Sequence, residues 1–307
     1  MKLAVPDLIS NSYFPAVAAI ELGFFAAEGL DMELELVFPV DKCYSELRSG
    51  GVDFVGGSAH SALSAFPNWD GVRLIAAQGR GMYWFLVMRS DLNAVHGDLD
   101  IVKGRNIGAA PWVDMGLKAL LVEAGYDLER DQINIAPVPG AVGSTTNFGL
   151  TAARALEAGK IDGFWANGMG TEVAVRGGAG TVVLDVRRGD GPKGCFDYTM
   201  ASIATTERLI EGSPETVAAV IRAIVRTQKV LKADVSLATK VGDALFPPQE
   251  AALIAELIRR DLPYYDVAIS ERSVAGMNDF ACGVGILEAD VSYDQVVATE
   301  FSEFWQS

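Results

Sequence analysis

Apolar and polar positions along the chain switch between two rhythms. Segments with apolar residues at helical spacing end in glycine, and the short runs that follow alternate or are wholly apolar, as strands are. This pattern predicts a strand at residues 2–6, a helix at 13–28 stopped by Gly29, and a strand at 31–38. Asp41 opens a helix to Arg48, followed by a strand at 52–56, a helix at 58–66 and a strand at 72–78. The apolar run 83–88 reads as a strand that leaves this first group. A second group then follows: strand 107–109, helix 113–124, strand 133–138, a glycine-containing loop at 139–143, helix 148–158, and strands 161–166 and 181–186. Residues 187–194, RRGDGPKG, carry turn signals and no core signal. Residues 199–204 read as a strand returning to the first group. Beyond Thr206 the pattern is helical, at 215–232 after Pro214, from Asp234 to Leu245, at 248–261, at 270–284 after a Ser270 cap, and in an amphipathic stretch at 296–305.

One phrase in this pattern is written twice. LRSGGVDFVGGSA, from Leu47, and LEAGKIDGFWANG, from Leu156, lie 109 positions apart. Each is a helix end, a glycine stop, an aspartate and a strand ending in small residues. FAAEGLDMELEL, from Phe25, and LVEAGYDLERDQINI, from Leu121, form a second pair. A period of about 100 residues is too long for a solenoid, so the repetition predicts two similar α/β lobes. The expected order is 1–88 for the first part of lobe one, 89–194 for lobe two, and 195–307 for the return strand and C-terminal helices of lobe one. Ligands on such sheets bind at the carboxyl ends of strands, so two facing lobes imply a cleft with those ends pointing into it.

Composition narrows the class. Half of the 307 residues are apolar and mean hydropathy is +0.23, so the chain folds around large cores. No apolar run approaches the roughly 18 residues of a membrane span, so direct membrane insertion is not expected. A formal charge of −15 argues against a nucleic-acid partner. Cys43, Cys195 and Cys282 are far apart and make no metal-ligand spacing, which predicts unpaired thiols. Met1-Lys2 followed at once by Leu3-Ala4-Val5 reads as a first core strand and is too short for a secretory h-region. Two localisations follow: cytoplasmic, or periplasmic or extracellular with a signal peptide already removed.

The segment GFFAAEGLD, from Gly23, and the two copies of the repeated phrase resemble the type II periplasmic-binding-protein superfamily. The resemblance is to the group that includes nitrate-, sulfonate- and taurine-binding components of ABC transporters and the thiamine-pyrimidine (NMT1/THI5-like) proteins. It implies a two-lobe α/β fold with a central cleft and C-terminal helices packed on lobe one. It also implies a solute-binding protein that closes by a hinge on a small organic ligand, planar or anionic, and that partners an ABC permease. No cofactor and no metal are implied.

Position in the pattern nominates the ligand contacts. Asn11, Ser12 and Tyr13 follow the first strand, Phe38 the second, Ser58 and His60 the third, and Arg80 the fourth. In the second group, Trp112 and Asp114 lie between strand and helix, Ser144, Thr145 and Asn147 follow the glycine loop, and Trp165 and Asn167 end the repeated phrase. Ser12, Ser58 and Asp114 serve equally well as helix caps, and His60 as a satisfied helix residue. The aromatic share of this set predicts a flat ligand stacked on Trp112 and Trp165 and oriented by Ser58, Asn147 and Asn167. Trp165→Ala is accordingly expected to weaken binding and spare the fold, and Trp84→Ala to lower the melting temperature.

An enzyme on the same fold is the alternative: a decarboxylase, a dehydratase, or a synthase like the fungal thiamine-pyrimidine enzyme. In that family a histidine comparable in place to His60 is a consumed substrate, and a lysine one turn earlier holds pyridoxal phosphate. Here that earlier position is Gly56, and the family's cysteine-rich motif is reduced to Cys195. Both departures speak against that chemistry.

Overall fold

A computed structural model describes residues 1–141 and 147–306 of the chain. Among the described residues there are ten strands: β1 Lys2–Val5, β2 Glu33–Leu36, β3 Phe54–Ser58, β4 Val72–Gly79, β5 Phe85–Arg89, β6 Asn106–Ala109, β7 Asn134–Ala136, β8 Gly163–Ala166, β9 Gly180–Asp185 and β10 Ala201–Thr206. They form two five-stranded sheets, ordered β2-β1-β3-β10-β4 and β7-β6-β8-β5-β9. The chain divides accordingly into unit 1, Met1–Gly81 with Asp197–Ser307, and unit 2, Met82–Phe196.

The two sheets have one topology. In each, the first parallel strand, β1 or β6, pairs with the next two, β2 and β3 or β7 and β8, and one antiparallel strand, β10 or β5, lies between the third and fourth parallel strands. That antiparallel strand is the one that follows a junction: β5 on entry to unit 2, β10 on return to unit 1. The junctions differ from the expected boundaries at 88 and 194. Residues 83–88 belong to unit 2, because Phe85–Met88 pair with Ala166–Gly163 of β8 and Phe85–Arg89 with β9. The entering and leaving chains are joined by the Met82 N–H donating to the Phe196 carbonyl at 2.8 Å.

The repeated phrase folds the same way twice. The Val40–Ser49 helix ends with Gly51 N–H bonded to the Glu46 carbonyl and Gly50 N–H to that of Leu47. The Phe148–Glu157 helix ends with Lys160 bonded to Ala155 and Gly159 to Leu156. This is the Schellman closure, which needs a left-handed residue, and Gly50 and Gly159 have φ +82° and +65°. The aspartate that follows has a reason in both copies. Asp53 Oδ2 accepts the backbone N–H of Lys2 at 2.8 Å, and Asp162 Oδ2 that of Asn106 at 2.9 Å. Each carboxylate thus pins the start of its unit's first parallel strand, β1 or β6. Asp162→Ala is expected to lower the stability of unit 2 by about 1 kcal/mol, read as a lower denaturant midpoint with an unchanged m-value.

Several predicted elements are shorter or different in kind. The 13–28 helix is broken at Gly23 into Phe14–Glu21 and Phe24–Ala27. Residues 58–66 form a 3-10 helix, Ala59–Ser64, in place of an α-helix. A helix at Gly168–Arg176 went unpredicted because three glycine and methionine positions open it. The C-terminal helices belong to unit 1. The long one, Pro214–Ala233, buries Val217, Val220, Ile221, Ile224 and Leu231, each worth roughly 1.5–3 kcal/mol on burial. It packs on the Phe14–Glu21 helix and on β4. No helix among the described residues is long and apolar enough to cross a membrane.

Candidate functional site

In both sheets the parallel strands end at one edge, and the sequence-predicted residues in the described chain, Asn147 apart, lie on or shortly after such an end.

In unit 1, Asn11, Ser12 and Tyr13 form the turn after β1 and are buried, at 3%, 4% and 5% exposure. Asn11 Nδ2 donates to Asp261 Oδ2 at 2.6 Å, from the end of the Pro248–Asp261 helix. That bond orients the amide and leaves Asn11 Oδ1 buried without a donor. Ser12 is no helix cap: Tyr13 holds the N-cap position, and the buried Ser12 Oγ has no hydrogen-bond partner. Ser58 ends β3, its Oγ 2.7 Å from Ser61 Oγ, and its carbonyl accepts from Tyr44 OH at 3.0 Å. His60 is fully buried, with Nδ1 2.9 Å from Thr199 Oγ1 and its ring edge-on to Phe280. Phe38 is half-buried after β2.

Arg80 stands just beyond the end of β4. Its side chain is exposed, donates to the Pro263 carbonyl at 3.2 Å and lies 3.8 Å from Asp266. The backbone N–H of Arg80 bonds Tyr264, so the residue fastens the chain around 263–266 to the end of β4.

In unit 2, Trp112 follows β6 in the left-handed conformation, φ +69°, and is half-buried. For a bulky residue that conformation is strained, and strain of this kind concentrates at functional turns. Asp114 does not cap the Asp114–Glu123 helix; it sits in its first turn and pairs with Lys118 one turn on. Asn147 precedes the Phe148–Glu157 helix without a side-chain capping bond. Ser144 and Thr145 lie outside the described residues. Asn167 is a true cap: its Oδ1 accepts from Met169 and Gly170 N–H at 3.0 and 3.2 Å. The orienting role expected of that oxygen is therefore taken by the helix.

Trp165 is fully buried, not a wall residue with an open face. Its ring stands edge-on to Trp84 with centroids 6.0 Å apart, and Trp84 packs in turn on Tyr83 at 5.0 Å. The expected division, Trp84 in the core and Trp165 in the site, does not hold, since the two rings share one cluster. The Trp165 indole N–H is buried with no partner. The segment 187–194 also departs from its reading as coreless, because Arg187 is only 4% exposed, with its guanidinium 5.4 Å from the Tyr83 ring centroid. Cys195 is buried too, and burial, reinforced by the Glu123 charge, pushes its thiol up to about 12, so it stays protonated at neutral pH.

Sequence reasoning missed Arg187, Asp261 and Thr199. Arg187 sits in a run rich in turn residues, and Asp261 and Thr199 act only through partners distant in the chain. A signal for Arg187 existed in its place directly after a strand end, the same criterion that nominated the others.

Two α/β units of one topology, each with aromatic and polar side chains at the carboxyl edge of its sheet, define the type II periplasmic-binding-protein fold. The sequence model of the family described as NMT1/THI5 like matches residues 10–234, and the chain belongs to that family. Among curated proteins none matches the sequence. Solved structures with the same fold include a protein of Bordetella bronchiseptica RB50, 20% identical, covering 98% of this chain and 95% of its own, TM-score 0.77. The alkanesulfonate-binding protein of Xanthomonas axonopodis pv. citri, bound to MOPS, is 14% identical over 96% of this chain and 97% of its own, TM-score 0.71. The periplasmic nitrate-binding protein of Synechocystis PCC 6803 is 14% identical over 99% and 88%, TM-score 0.70. At these identities the likeness is one of fold.

Proposed function

We propose that this chain is the solute-binding component of an ABC-type importer, taking a small organic ligand outside the cytoplasmic membrane and delivering it to the permease in that membrane. The observation that carries this reading is the pair of matched sheets whose carboxyl edges both hold buried polar atoms with no protein partner. Asn11 Oδ1 and Ser12 Oγ are such atoms in unit 1, and Trp165 Nε1 is one in unit 2. Buried polar groups are almost always satisfied, and a bound ligand is the economical way to satisfy these. The alkanesulfonate- and nitrate-binding proteins of the same fold lend support. The proposed contacts are Asn11, Ser12 and Tyr13 in unit 1 and, separately, Trp112 and the Trp165 indole N–H in unit 2; Arg80 and the Asn167 oxygen are not among them.

Native mass spectrometry of the purified protein tests this directly. The expected spectrum shows a small-molecule adduct that is released on denaturation and identified unchanged. A chain of apo mass that no oxoanion or aromatic probe shifts in thermal midpoint would sink the reading. Conversion of the released molecule on incubation with the protein would assign an enzyme instead.

A further inference from the structure

The chain passes between the units twice, at Gly81–Met82 and at Phe196–Asp197. Just inside unit 1, both passages are held by one stretch of the C-terminal part, residues 263–280. On the outgoing side, the Arg80 N–H donates to the Tyr264 carbonyl at 2.8 Å, and the Ala77 N–H to that of Val267 at 2.9 Å. The Arg80 guanidinium adds its bond to the Pro263 carbonyl. On the returning side, the Glu271–Gly283 helix lies against Asp197 and Tyr198. Its Gly276 comes so close that a Cβ there would lie 2.5 Å from the Asp197 Cβ and 3.2 Å from the Asp197 carbonyl oxygen. One turn on, Phe280 stacks on Tyr198, with centroids 4.7 Å apart and planes 17° apart, and meets the His60 ring edge at 5.3 Å. His60 Nδ1 in turn lies 2.9 Å from Thr199 Oγ1, and all four of these side chains are buried. The Arg272–Asp197 pair, at 3.1 Å, adds little because Arg272 is exposed.

We propose that residues 263–280 form a hinge seat, which fixes the two ends by which unit 1 continues into unit 2. Closely packed segments do not absorb the φ/ψ changes of a domain motion, and a few positions at the ends of elements must do so. On the unit 2 side, the Met82 N–H and the Phe196 carbonyl hold the two passages together. Bending is therefore confined to the links between Arg80 and Met82 and between Phe196 and Asp197. The residue inside the first link is Gly81, with φ +71°, a conformation that glycine enters and leaves without steric cost. His60 and Phe280 act in this seat as positioning residues, joining the end of β3 to the returning chain. The seat goes beyond the solute-binding reading, since it serves whatever the ligand is and whether the protein carries or converts it.

The test is pulsed EPR on the full chain, with one spin label at Ser45 of unit 1 and one at Val95 of unit 2, both exposed. The labels enter through non-canonical amino acids, so the native cysteines stay unmodified. Gly276→Ala forces the helix off Asp197, and Phe280→Leu keeps most of the volume and removes the stack. Both are expected to broaden the distance distribution relative to wild type. Both should also speed hydrogen exchange in the peptide 197–201 about tenfold, with the rest of unit 1 unchanged. Ile221→Ala, a core variant in the Pro214–Ala233 helix, should lower the melting temperature without broadening the distribution. An unchanged distribution in folded Gly276→Ala and Phe280→Leu overturns the proposal. Equal broadening in Ile221→Ala overturns it too, because the effect would then be general loosening of unit 1. If Gly276→Ala does not fold, an unchanged distribution in Phe280→Leu overturns it alone. No arm of the test uses a ligand, so the solute-binding reading stands or falls separately.

Discussion

Replacing Trp165 by alanine is expected to destabilise unit 2 by about 3–5 kcal/mol, the cost of emptying a fully buried large aromatic site. The sequence pattern alone predicts an intact fold for this variant, and the structure reverses that. Trp165 sits on β8 between Leu86 of β5 and Ala109 of β6, with its ring against Trp84. Removing either ring strips a face from the other, so Trp84→Ala should melt early as well. The double variant should cost less than the sum of the two, because they share one cavity. Trp165→Phe separates packing from the indole N–H. It fills most of the volume and removes a buried donor that has no partner, so its midpoint should stay near wild type. Thermal and urea unfolding of the four variants checks this. A Trp165→Ala protein that melts with wild type would show that the ring contributes nothing to the core.

Gly170→Ala is expected to be comparably severe for a smaller change. Gly149 and Gly170 face each other where the Phe148–Glu157 and Gly168–Arg176 helices cross. A Cβ on Gly170 would lie 2.6 Å from the Gly149 carbonyl carbon and 2.7 Å from its Cα. These are backbone atoms, which no rotamer change can move aside, so the helices must separate. Overpacking at a rigid contact costs roughly 3 kcal/mol or more, a fall in midpoint on the order of 10 °C. Separation would also shift the Asn167 cap, whose side-chain oxygen would lie 2.8 Å from a Cβ on Gly149. Gly212→Ala is the control, because a Cβ there meets nothing within 4 Å. It should leave the midpoint unchanged or raise it slightly. Equal midpoints for Gly170→Ala and Gly212→Ala would show that the helix crossing relaxes freely.

The fold was largely legible in the chain because its signals are local. Gly50 and Gly159 mark helix ends since only a left-handed residue closes them. The aspartates that follow were legible as a repeat, although their task of pinning Lys2 and Asn106 was not. The strand at 83–88 was visible as a strand, but its sheet was not, since apolar periodicity does not say which neighbour a strand pairs with. The helix at Gly168–Arg176 was hidden by its glycines, which weaken helical propensity and are kept for close packing.

For the candidate site, the sequence by itself determined position along the chain: which residues follow strand ends and so stand at the carboxyl edges of the sheets. Connectivity fixes that, and connectivity is written in order. The tertiary structure alone decided orientation and burial. It turned Arg80 outward to Pro263 and Asp266, and buried Arg187 within a run of turn residues. It set Asp261 beneath Asn11, and joined Trp84 and Trp165 in one cluster. Each of these depends on a partner tens to hundreds of residues away, and side-chain direction follows from packing against such partners, which no local pattern of apolar and polar residues encodes.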